Sequence, residues 1–129
     1  MTPTKAMVAA MISPLTTAIL QGWSAKYLEV NRLAIILNGL DNRRDLYAGW
    51  VASGRESLAS WERKLAEAEH AYQRAKAEDQ VRCYVASLRD YEGRLRTVTK
   101  SLEFIKAFGM PDQIASHMPT CGSAVARGW

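Results

Sequence analysis

The sequence predicts an all-α protein built on an antiparallel coiled-coil helical hairpin, with arms at about 41–76 and 80–108. Three observations predict it. All four prolines (Pro3, Pro14, Pro111 and Pro119) lie near the ends, so 15–110 is free of them, which suits long helices better than strands and turns. Hydrophobic residues make up 48% of the 129, enough for a core and too many for global disorder. Two stripes of apolar residues also recur at alternating spacings of three and four.

Thr2-Pro3 reads as an N-cap followed by a first helical residue, which starts a short helix over 3–12. Ser13-Pro14 repeats the signal and opens a longer helix over about 14–38. Leu15, Ile19, Trp23, Tyr27, Val30, Ala34 and Leu37 form its apolar stripe. Leu20, Leu28, Ile35 and Ile36 widen that stripe, so this helix is expected to be covered on more than one side. Asn38-Gly39 reads as a left-handed stop, and Asp41 as the next N-cap.

Residues 6–25 carry no charge, and a stretch of twenty residues is long enough to span a bilayer. Trp23, Lys26 and Tyr27 stand where an interfacial flank would fall. Against spanning, the segment holds Ser13, Pro14, Thr16, Thr17, Gln21, Gly22 and Ser24, and much of the rest is alanine. A buried packing helix is the preferred reading, and a membrane segment is the alternative.

The hairpin carries the strongest pattern. Leu58, Trp61, Leu65, Ala68, Tyr72 and Ala75 form one seam. Val81, Tyr84, Leu88, Tyr91, Leu95, Val98, Leu102 and Ile105 form a second. The six-residue step from Ala75 to Val81 breaks the phase, because a stutter or stammer inserts four or three residues. A turn over 76–80 resolves the break, with Asp79 as cap, and it sets Gly54 opposite Leu102 and Trp61 opposite Leu95. Gly109 and Pro111 then end the second arm.

The expected organisation is one helical domain over 1–108, with an apolar segment 1–40 and the hairpin 41–108, followed by an irregular tail 109–129. Leu58, Trp61, Leu65, Tyr72, Tyr84, Leu88, Tyr91, Leu95, Val98, Leu102 and Ile105 are its expected hairpin core. Trp23, Trp50 and Trp129 are the interface candidates; Trp50 falls one position off the seam, and exposed tryptophan is enriched at binding hot spots.

No catalytic residues and no cofactor are expected. Cys83, Cys121, His70 and His117 match no zinc spacing, and Pro119 breaks the run from His117 to Cys121. No glycine-rich phosphate loop occurs. The net charge is +4 and the isoelectric point about 9.3, with charges mixed in sign. Arg82, Arg89, Arg94, Arg96, Lys100 and Lys106 scatter around the second arm instead of lining one face, so nucleic acid is not the expected partner.

The expected function is a non-enzymatic helical interaction or assembly protein, a subunit or adaptor of a larger homo- or hetero-oligomer. Its partners are itself or other proteins, in the cytoplasm or within an assembly. The alternatives are a membrane-anchored coiled-coil protein with residues 6–25 inserted, and a nucleic-acid-binding helical protein. In general outline the layout resembles assembly components of phage particles and secretion machines, with no shared motif.

Overall fold

In the computed structural model the described residues are 2–115, and they are helical without strands. Four helices follow in order: α1 (Lys5–Leu20), α2 (Ala25–Glu67), α3 (Ala71–Phe108) and α4 (Asp112–Ala115). The all-α hairpin expected from the sequence is present as the pair α2 and α3. The described residues divide into two compact units, 2–44 with 96–115 and 45–95; α2 and α3 run through both.

In the first unit, α1 opens two residues later than Thr2-Pro3 suggests. Thr4 is the N-cap, and its hydroxyl accepts a hydrogen bond from the Met7 amide at 3.2 Å. Pro14 lies inside α1 and starts no helix. Lacking an N–H, it cannot bond the carbonyl four residues back. The Thr17 hydroxyl donates to the Ser13 carbonyl at 3.1 Å in the same turn. Met7, Met11, Leu15 and Ala18 form the buried face of α1, at spacings of four, four and three.

The expected helix over 14–38 is therefore two helices. α1 ends in a Schellman motif: Gly22 takes φ +83°, its amide donates to the Ile19 carbonyl at 2.9 Å, and the Trp23 amide donates to the Ala18 carbonyl at 3.1 Å. Ser24 then caps α2 by accepting from the Tyr27 amide at 3.2 Å. Neither Asn38-Gly39 nor Asp41 interrupts α2. Asp41 instead pairs with Arg44 at 3.2 Å, on the surface.

The buried face of α2 in this unit is Ala25, Leu28, Ile36 and Leu40, not the stripe through Tyr27 and Val30. Fully burying a leucine or isoleucine contributes about 1.5–3 kcal/mol, so Leu28, Ile36 and Leu40 anchor this stretch. Val98, Leu102, Phe104 and Ile105 of α3 complete the core with Ile114 of α4, which contacts α1. The Ser101 hydroxyl is buried and donates to the Thr97 carbonyl at 2.7 Å, with the Met7 carbonyl of α1 at 3.4 Å. Gly109, at φ +80°, ends α3 with its amide on the Ile105 carbonyl at 2.9 Å, as the sequence predicts. The tail expected to be irregular from 109 forms α4 first. His117, Cys121 and Trp129 lie outside the described residues.

In the second unit the chain reverses at Ala68-Glu69-His70, not at 76–80. This moves the register. A methyl group at Gly54 would meet Leu88 Cδ2 at 2.9 Å, whereas the sequence sets Gly54 opposite Leu102. The difference from 102 to 88 is fourteen residues, which is two heptads, so the seam keeps its phase while sliding along itself. Tyr72 consequently falls in the first turn of α3 and is 73% exposed, not core. Ala77 takes its place, buried four residues before Val81. Of the expected hairpin core, Leu88, Val98, Leu102 and Ile105 are buried; Leu58, Trp61, Leu65, Tyr84, Tyr91 and Leu95 are half-buried.

Candidate interaction surfaces

The α1–α2 junction concentrates exposed apolar surface. Leu20 is 82% exposed and Val30 74%, with Trp23, Tyr27 and Leu33 also on the surface. Local structure sets this up. The Schellman turn and the Ser24 cap bring Trp23 beside Tyr27, with ring centroids 5.2 Å apart and planes at 88°. Tyr27, Val30 and Ala34 then share one face of α2 by helical spacing. The opposite face carries buried Ala25 and Leu28. The first turns of α2 are thus apolar on two sides, and among the described residues only one of them is buried.

Trp23, a sequence candidate, belongs to this surface. Trp50, the other described candidate, lies in the second unit. It packs against Tyr47 at 5.4 Å and Tyr91 at 5.2 Å between ring centroids. Its role is largely to close its own hairpin, although part of the indole remains exposed. Beside it, Arg94 pairs with Asp90 at 3.1 Å; the hydrogen bond and charge of Asp90, with a further hydrogen bond to Tyr47, hold the guanidinium pKa above its ordinary value. Arg55 and Glu92 tie the two arms at 3.3 Å, an exposed pair that contributes about 0–1 kcal/mol.

The closed end of the hairpin carries a third feature that the sequence did not single out. A groove of about 440 Å³ is lined by Trp61, Lys64, Glu67, Ala68, Tyr72, Gln73, Lys76 and Ala77. Trp61 is half-buried, and two ammonium groups stand over its ring: Lys64 Nζ at 4.2 Å and Lys76 Nζ at 5.9 Å from the centroid. Heptad reading places Trp61 in the seam but assigns Lys76 to a turn, so it could not bring Lys64 and Lys76 to one ring.

Among the described residues no three His, Cys, Asp or Glu side chains could jointly hold a metal ion. No helix among them is long and apolar enough to cross a membrane; residues 6–25 divide between α1, the Schellman loop and the first residue of α2. Cys83 is an exposed free thiol, and His70 stacks on Tyr72 with centroids 6.1 Å apart. No protein-family model, no curated protein and no solved structure matches the chain.

Proposed function

We propose that this chain is a non-enzymatic interaction protein, a subunit of a larger oligomer that associates through the apolar surface at the α1–α2 junction. The observation that carries this reading is the exposure of Leu20 and Val30 beside the Trp23–Tyr27 pair, while the reverse face of the same helix is buried. Soluble monomers rarely leave large apolar patches uncovered, and covering one leucine or valine contributes about 1.5–3 kcal/mol. Tryptophan and tyrosine, paired here at the surface, are residue types that anchor interfaces. The layout suggests an assembly component, as in a phage particle or a secretion machine.

Leu20→Asp with Val30→Asp tests the surface directly. Both side chains are exposed in the isolated chain, so helicity and the thermal transition should be retained. Sedimentation velocity should show the unaltered protein as a discrete multimer and the double variant as a smaller species. Equal sedimentation of the two, at equal helicity, would remove the junction as the contact.

A further inference from the structure

The groove at the closed end of the hairpin is distinct from the junction surface and lies wholly within residues 45–95. Its chemistry is specific. The floor is apolar and aromatic: the half-buried Trp61 indole, buried Ala77 and half-buried Ala68. Tyr72, free of the core at the start of α3, forms a wall. Lys64 and Lys76 reach the same indole from α2 and α3, and neither is paired with a carboxylate among the described residues. Two ammonium groups drawn to one ring repel each other. A negative charge set between them relieves that repulsion while leaving the cation–π attraction in place. Lysine without arginine provides point charges, not the planar fork that grips phosphate in bidentate fashion. Glu67 on the same rim opposes a multiply charged group more than a single carboxylate.

We infer that this groove binds a carboxylate carried next to an aromatic side chain, as in an acidic segment of a partner polypeptide. The carboxylate sits between Lys64 and Lys76, and the aromatic ring lies against Trp61 and Tyr72. A volume of about 440 Å³ is large enough for two or three side chains and too small for a folded element.

The probe is a short peptide alternating Asp and Phe, titrated into the full chain with tryptophan fluorescence as the readout. A saturable change is expected, lost in Trp61→Phe and weakened at least tenfold by Lys64→Gln with Lys76→Gln. Binding should also weaken as salt rises, and it should persist in the Leu20→Asp/Val30→Asp protein, which separates this site from the junction surface. The altered lysines are exposed, so the double variant should keep its helicity. A peptide with Asn in place of Asp should not bind. The inference is overturned by an absence of saturation at millimolar peptide, or by equal affinity in the folded double-lysine variant. It is also overturned if free phenylacetate saturates the groove while the peptide does not, which would assign the site to a small molecule.

Discussion

Gly39 of α2 lies against Pro14 of α1 so closely that a methyl group on it would meet both Pro14 Cβ and Pro14 Cγ at 2.5 Å. Two residues that read as a helix stop and a helix start are instead one contact in the middle of two helices. The absence of a side chain at 39 lets α2 approach the proline ring. One turn further along, the Arg43 guanidinium donates to Ser13 Oγ at 3.2 Å and fastens the same approach.

Gly39→Ala should therefore destabilise the protein, although alanine is the better helix former. Overpacking costs about 1–3 kcal/mol, against a propensity gain of about 1 kcal/mol; the net loss in urea unfolding should reach about 2 kcal/mol, because the contacting atoms belong to a rigid proline ring. Gly49→Ala is the control, since a methyl group there meets nothing within 4 Å, and it should stabilise by about 0.5–1 kcal/mol. In a double-mutant cycle, Pro14→Gly, which removes both contacting atoms, should recover most of the Gly39→Ala loss.

The register of the hairpin is tested by a pair of truncations. Leu88→Ala removes a buried side chain that fills the space over Gly54 and should cost about 2–4 kcal/mol. Tyr72→Ala should change stability by no more than about 0.5 kcal/mol, because the ring is exposed. A turn at 76–80 would predict the reverse for Tyr72, with a loss of several kcal/mol. Chemical denaturation of the two variants distinguishes the turns.

Ser101 is buried beside the Met7 backbone, so bulk at this position has nowhere to go. Ser101→Leu should cost about 1–3 kcal/mol through overpacking. Ser101→Ala should cost less than about 1 kcal/mol, since the Thr97 carbonyl keeps its place in the α3 ladder. Thermal melts followed by circular dichroism give the order.

The helical class and the apolar seams of the hairpin were legible in the sequence because periodicity is a local property, whereas the places where the helices break were not. Register was not. A heptad seam superimposes on itself after every seven residues, so spacing alone cannot distinguish Leu88 from Leu102 as the neighbour of Gly54. The turn must then be found from loop chemistry, and Ala68-Glu69-His70 contains no glycine or proline to mark it. Ala77 continues the second seam four residues before Val81, but alanine is a weak apolar signal and the seam is easily begun too late.

The break at the α1–α2 junction carried a readable signal: Gly22 as a left-handed cap and Ser24 as an N-cap, two residues apart. A continuous stripe through Ile19, Trp23 and Tyr27 concealed it. That stripe was correctly apolar but assigned to the core, whereas Tyr27 and Val30 face outward. Periodicity shows that a face is apolar and not what covers it. Trp23, an interface candidate that the sequence reading placed inside the 14–38 helix, is exposed because it falls in the loop between α1 and α2.

The central claim is association through that outward face, and it is tested most directly by light scattering coupled to size exclusion on the full-length protein purified without detergent. A discrete, monodisperse multimer with a mass several times 14.4 kDa is the expected result. A stable 14.4 kDa monomer at high micromolar concentration would contradict it.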